Sequence, residues 1–95
     1  MMDVVREHIV VTGMVQGVGF RYFAVMQARK LGVQGWVRNR LDGSVEAEAE
    51  GSGDAVELFV SALRQGPKWA DVRAVEVKDM APRQDTVGDF RVRGL

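Results

Sequence analysis

The sequence has no cysteine, one histidine, one tyrosine and two prolines among its 95 residues. The absence of cysteine excludes disulfide bonds, thiol nucleophiles, CxxC redox sites and thiolate metal sites. Lysine and arginine together number 13, and aspartate and glutamate also number 13. Proteins that bind bulk nucleic acid or an anionic membrane surface usually carry a basic excess. We therefore expect no nucleic acid partner and no membrane partner.

Long apolar runs are missing as well. The first eleven residues carry charges at Asp3, Arg6 and Glu7, so they lack the uninterrupted apolar region of a secretory signal peptide. No run approaches the length of a membrane-spanning helix. We expect a soluble, cytoplasmic protein with a single domain over residues 1–95 and one core of modest stability.

Short β-branched segments and two apolar stripes of helical period divide the chain into regular elements. Strands are predicted over 7–13, 33–39, 44–50 and 70–80, with a short closing strand over 89–95. The first helix is predicted from Phe20 to the stop at Gly32. The second is predicted to be capped by Asp54, with Glu57 completing the cap, and to end at Gly66.

The predicted order is therefore β-α-β-β-α-β with an additional closing strand. Two amphipathic helices need an apolar surface to cover, and a one-sided sheet supplies it. The prediction is an α+β fold of the ferredoxin-like split βαβ type. Its sheet is expected to be antiparallel, with two helices packed on one face.

The strand predicted over 44–50 alternates small apolar residues with glutamate. This pattern predicts one buried face and one solvated face, the latter carrying Glu46, Glu48 and Glu50. An acidic sheet face would repel phosphates, which argues against RNA binding by the sheet. Trp36 is expected in the core, as aromatic anchors usually are.

The stretch GMVQGVGFR, residues 13–21, lies between a predicted strand and a predicted helix N-terminus. Unpaired amides and the helix dipole favour an anion there, and glycines allow successive amides to point inward. Arg21 is unfavourable at the positive end of a helix unless an anion lies between it and the amides. The residues thus indicate a phosphate or carboxylate cradle. A simple tight turn with a solvated Arg21 remains the alternative, and Gln16 either fixes this loop by hydrogen bonds or is solvated.

Two longer motifs contain these residues. VTGMVQGVGFR (11–21) closely resembles the first signature of the acylphosphatase family, and GWVRNRLDGSVEAEAEG (35–51) resembles the second. The resemblance extends over the whole chain in length, element order and motif spacing. It implies a small cytoplasmic ferredoxin-like enzyme that hydrolyses acyl phosphates to a carboxylate and inorganic phosphate.

The resemblance also implies roles for individual residues. Arg21 matches the family's phosphate-binding arginine, and Asn39 matches its water-orienting asparagine. The matching phosphate cradle is formed by the backbone amides of Gln16, Gly17, Val18, Gly19 and Phe20. No metal and no other cofactor is implied. The expected partner is a small acyl phosphate. Inorganic phosphate or sulfate should compete with it. The protein is expected to be a monomer.

Two other functions fit the same features. One is a non-catalytic module that binds an anion with the same fold. The other is a carbamoyl-phosphate-handling unit of a larger maturation protein. The second function is less expected, because the sequence opens with Met and closes after the last predicted strand. Trp69 stands where a smaller or polar residue is expected, which bears on substrate entry or packing.

Overall fold

The computed structural model describes residues 3–83 and 88–94, and within them five strands and two helices form the fold. The strands are β1 (Val4–Met14), β2 (Gln34–Asn39), β3 (Val45–Ser52), β4 (Asp71–Met80) and β5 (Phe90–Val92). The helices are α1 (Phe20–Leu31) and α2 (Gly53–Gln65). The described strands form one sheet in the order β4, β1, β3, β2, β5.

The first four strands pair antiparallel, as predicted, but β5 runs parallel to β2 with Gly35 opposite Phe90. The prediction of an antiparallel sheet is therefore wrong for the closing strand, and the sheet is mixed. The cause is topological. The chain leaves β4 at one edge of the sheet and enters β5 at the other edge, starting from the same end of the molecule, so β5 runs opposite to β4 and parallel to β2.

Both helices pack on one face of the sheet, which confirms the predicted ferredoxin-like arrangement. The rings of Phe59 in α2 and Phe90 in β5 lie 5.3 Å apart between the helices and the sheet. The alternation predicted for β3 places its small apolar residues on this face. The core joins Phe20, Ala24 and Ala28 of α1, Val56 and Leu63 of α2, and Ile9, Val11, Val37, Ala47 and Ala49 of the sheet.

The helix boundaries follow local chemistry. Gly32 ends α1 in the left-handed conformation with φ 73°, which glycine adopts at no steric cost. The N-cap of α2 is Ser52, whose hydroxyl accepts a hydrogen bond from the amide of Ala55 at 3.2 Å. The prediction that Asp54 caps this helix is wrong, because β3 continues to Ser52 and the helix begins two residues earlier. Asp54 lies in the first turn, where its charge suits the helix dipole.

The sheet face opposite the helices is not solvated at β3. Glu50 is fully buried, Glu48 is 9% exposed, and Arg6 of β1 is 2% exposed. Arg6 donates to Glu50 at 3.0 Å and to Glu48 at 2.7 Å. The amide of Arg83 also donates to Glu50, at 2.9 Å, so residue 83 lies over this face. The predicted solvated glutamate row is therefore wrong.

The buried ion pairs raise the pKa of Arg6. Burial by itself would lower the pKa of its guanidinium, but the hydrogen bonds and charges of Glu48 and Glu50 outweigh burial. One guanidinium is thus hydrogen-bonded to two buried carboxylates.

Trp36 lies on this same face and is only half-buried, so its predicted core position is wrong. The guanidinium of Arg93 lies 4.3 Å from the centre of its ring, and that of Arg38 lies 5.6 Å from it. At the surface, these cation–π contacts replace the packing contacts that the ring would have in the core.

Removing Arg6 should destabilise the fold strongly. Arg6→Ala takes the counter-charge from two buried carboxylates, and we expect a loss of about 3–5 kcal/mol in the free energy of unfolding. Arg64→Ala, an exposed arginine on α2, is the control and should cost less than about 0.5 kcal/mol. Urea denaturation at neutral pH measures both, and equal small losses would contradict this account of the face.

Candidate active site

A cavity of about 470 Å³ opens where α1 begins and β2 ends. Its lining includes Gly17 and Gly19 of the loop between β1 and α1, Arg21 of α1, and Asn39 at the end of β2. The two predicted catalytic residues therefore line the same cavity as the predicted loop. Of the five residues whose amides are predicted to bind phosphate, Gly17, Gly19 and Phe20 line this cavity, and Gln16 and Val18 do not.

The loop before α1 presents amides that the rest of the described chain does not use. Gly17 and Gly19 have φ values of 76° and 79°, in the left-handed region that favours glycine. Gly19 is the N-cap and provides no side-chain cap, and the first turn contains no acidic residue. Within residues 3–83 and 88–94, no acceptor takes a hydrogen bond from the amides of residues 16–20. This is the environment in which a helix N-terminus binds an anion.

Arg21 adds a positive charge at the same place. It is exposed in the first turn of α1, and no carboxylate of the described residues forms an ion pair with it. A cation at the positive end of a helix is unfavourable in the absence of an anion. Its guanidinium can offer two parallel donors to a phosphoryl group that also accepts from the loop amides.

Gln16 fixes the loop by hydrogen bonds, which decides between the two alternatives left open for it. Its side-chain Nε2 donates to the carbonyl of Arg40 at 2.8 Å and to that of Ser44 at 2.9 Å. Both acceptors lie in the turn between β2 and β3. The Gln16 side chain thereby joins the glycine loop to the turn that follows Asn39.

Asn39 carries an unpaired acceptor. Its Oδ1 is buried, and no donor within the described part of the chain reaches it. A buried polar atom in this state costs about 1–3 kcal/mol, which favours a bound group that donates to it. Oδ1 is an acceptor, so a water molecule or a hydroxyl is a suitable partner.

The residue before Asn39 is held on the opposite face of the sheet. Arg38 Nε donates to Glu46 at 2.6 Å, and His8 Nε2 lies 2.6 Å from the other oxygen of the same carboxylate. Burial by itself would raise the pKa of Glu46, but the hydrogen bonds from His8 and Arg38 outweigh it and hold that pKa below its usual range. Because successive strand residues face opposite ways, fixing Arg38 also fixes the direction of Asn39. Sequence reasoning missed this network, since it treated Glu46 as solvated.

Trp69 does not line the cavity. Its side chain is 73% exposed, and Lys68 Nζ lies 5.2 Å from the centre of its ring. Its position gives no support to a part in substrate entry through this cavity, nor to a place in the core.

The described residues contain neither a metal-ligand cluster nor a membrane-spanning helix. In that part of the chain, no three histidine, aspartate or glutamate side chains are grouped so that they could hold a metal ion. None of the described helices is both long and apolar enough to cross a membrane.

Known proteins of similar sequence show the family of this chain. The family model for acylphosphatase matches residues 7–92. The chain belongs to the acylphosphatase family. An acylphosphatase from Bifidobacterium longum is 62% identical over 91 residues, covering 96% of this chain and 94% of that protein. An acylphosphatase from Moorella thermoacetica is 50% identical over 92 residues, which cover 97% of this chain and 97% of that protein. The function of this family is the hydrolysis of acyl phosphates.

Solved acylphosphatase structures share the fold. The crystal structure of acylphosphatase from Bacillus subtilis is 39% identical, with a TM-score of 0.89 over 94% of this chain and 98% of that one. Full-length HypF, in its phosphate- and nucleotide-bound form, is 25% identical with a TM-score of 0.86, but this chain covers only 12% of it. The acylphosphatase fold therefore also occurs as a small part of a larger protein.

The lowered pKa of Glu46 predicts a pH-dependent contribution to stability. The contribution should be complete above the ordinary glutamate value of 4.5 and should be lost as the pH falls through the lower folded-state pKa. The stability difference between the wild type and Glu46→Gln should therefore shrink between pH 6 and about pH 3. Urea denaturation across this range measures it, and a difference that does not change with pH would contradict the assignment.

Proposed function

We propose that this acylphosphatase hydrolyses acyl phosphates by direct attack of water on phosphorus, without a metal ion and without a covalent intermediate. The observation that carries the proposal is the common cavity. Its lining includes the glycine loop, Arg21 and Asn39. Among the described residues, none accepts from the loop amides, none forms an ion pair with Arg21, and none donates to the buried Asn39 Oδ1.

Phosphoryl binding is assigned to the loop and to Arg21. The amides of residues 16–20 and the guanidinium fork together supply donors for the three phosphoryl oxygens. The positive end of α1 adds a favourable field at the same position. Gln16 keeps the loop in place, because its side chain donates hydrogen bonds to the carbonyls of Arg40 and Ser44.

The reaction then requires positioning and charge stabilisation rather than a strong acid or base. The oxygen of water forms a bond to phosphorus while the bond from phosphorus to the acyl oxygen breaks, and its electron pair leaves on the carboxylate. A carboxylate is a weak base, so no general acid is needed to expel it. The proton of water passes to a phosphoryl oxygen, because an asparagine cannot act as a strong base.

Asn39 is assigned to the attacking water. The water donates to Asn39 Oδ1, which satisfies the buried acceptor and orients the water oxygen toward phosphorus. A phosphate ester has an alkoxide leaving group that needs a metal or an acid. We therefore propose that the site acts on acyl phosphates and not on phosphate esters.

The donors assigned to the phosphoryl group also suit other anions. Inorganic phosphate and sulfate should occupy the cradle and compete with substrate, since they present the same oxygens. We further propose a cytoplasmic monomer in which residues 1–95 form one domain.

Arg21 and Asn39 should have separable effects. Arg21→Ala should raise KM and nearly abolish kcat, because phosphoryl charge is present in both the ground and the transition state, and Arg21→Lys should recover little. Asn39→Ala should lower kcat by about 10²–10³-fold and leave the affinity for inorganic phosphate nearly intact. Steady-state rates and calorimetric titration with phosphate measure these quantities.

Arg64→Ala provides the matched control, since it removes an exposed helix arginine that lies outside the cavity. A loss of phosphate affinity in Asn39→Ala as large as that in Arg21→Ala would contradict the water-orienting role. Full kcat in Asn39→Ala would contradict it too. Phosphate binding without hydrolysis of any acyl phosphate by the wild type would instead favour a non-catalytic anion-binding module.

A further inference from the structure

The cavity continues past the glycine loop of residues 16–20 as a groove between α1 and β5. Its lining there comprises Tyr22, Val25, Met26 and Arg29 of α1 and Val92 of β5, and we call these five residues the α1–β5 groove. The helical members follow the spacing of one helix face, so they form a row that starts beside Arg21 and leads away from it.

The groove is apolar and open. Tyr22 is 71% exposed, Met26 is 47% exposed, and Val92 is 49% exposed. Tyr22 and Met26 are four residues apart on one helix and therefore adjacent on its surface. Three exposed apolar side chains thus converge on a wall that is continuous with the phosphate loop.

The parallel pairing of β5 brings Val92 to this position. The amide of Arg93 donates to the carbonyl of Val37 at 2.8 Å, which extends the pairing past Val92. Phe90 is fully buried on the helix side of the sheet, and Val92, two residues on, faces the same side. The valine therefore forms the wall of the groove opposite Met26.

The charge at the far end of the groove is largely offset. Arg29 Nε lies 3.4 Å from one oxygen of Asp89, and Arg91 Nε lies 3.5 Å from the other. Among the described residues that line the cavity, the guanidinium left without a carboxylate partner is that of Arg21, at the phosphate end. An apolar group without a second negative charge suits such a surface better than a dicarboxylic one.

We propose that the α1–β5 groove binds the acyl group of the substrate and that it favours uncharged apolar acyl groups, aromatic ones above all. This inference rests on the proposed function, since the groove begins where the phosphoryl group is held. An aromatic acyl group can pack on the Tyr22 ring and contact the Met26 sulfur, which are both favourable partners for a planar ring. A methyl group has too little apolar surface to gain much from these contacts.

Substrate pairs test the groove. Initial rates are measured with acetyl phosphate and with benzoyl phosphate for the wild type, Met26→Ala and Val92→Ala. For benzoyl phosphate we expect kcat/KM to fall about fivefold in each variant, mainly through KM, because the groove is half-open and its contacts are lost from ground and transition states alike. For acetyl phosphate kcat/KM should change by less than about twofold, as should the inhibition constant of inorganic phosphate.

Leu58→Ala is the matched control, because Leu58 is an apolar helix residue with 57% exposure that does not line the cavity. It should leave both substrates unaffected. Equal losses for both substrates in Met26→Ala, or none for benzoyl phosphate, would overturn the groove assignment while leaving the proposed hydrolysis intact. A substrate with a second carboxylate that outperforms benzoyl phosphate, and loses this advantage in Arg29→Ala, would also overturn it. A wild type that hydrolyses neither substrate would overturn the proposed function and the groove together.

Discussion

The position of the candidate site depends on the two hydrogen bonds of the Gln16 side chain. They connect the glycine loop before α1 with the turn after β2, through the carbonyls of Arg40 and Ser44. Without such a connection, a loop with two glycines in the left-handed region would have many conformations. With it, the loop is held in the cavity that Arg21 and Asn39 also line. A site of this kind needs few functional groups, because a phosphoryl group with a good leaving group reacts once it is held and its charge is stabilised.

The sheet face away from the helices supports the same site from behind. Glu46 holds Arg38 and His8, and this fixes the end of β2 from which Asn39 projects. Residue 83, after β4, lies over that face, where the amide of Arg83 donates to Glu50. At the edge of the sheet away from β4, β5 pairs with β2 and lines the groove beside α1. The apolar groove therefore depends on the parallel pairing of β5 with β2.

Local chemistry allowed much of the fold to be predicted. Glycine marks both ends of α1, the β3 alternation is regular, and the glycine loop carries its own signal for anion binding. Features that depend on distant residues were not predictable. Arg6 and its carboxylate partners are 42 and 44 residues apart in sequence. The alternation of β3 therefore indicated three glutamates on one face, but not the guanidinium that pairs with two of them. The α1–β5 groove was missed for a similar reason, because Val92 reaches α1 only through the parallel pairing of β5. The second signature indicated Asn39, but only the structure shows that its Oδ1 is buried and has no donor among the described residues.

The central claim is that the backbone amides of residues 16–20, together with Arg21, hold the phosphoryl group. A titration with inorganic phosphate, followed by ¹H–¹⁵N chemical shifts of the uniformly labelled protein, tests it most directly. The account predicts that the largest shift changes fall on the amides of residues 16–20 and on the Arg21 Nε–H, with one common dissociation constant. It predicts that Gln16→Ala weakens this binding, because the loop is no longer held. Saturable phosphate binding that shifts resonances elsewhere and leaves those of residues 16–20 unchanged would contradict the account.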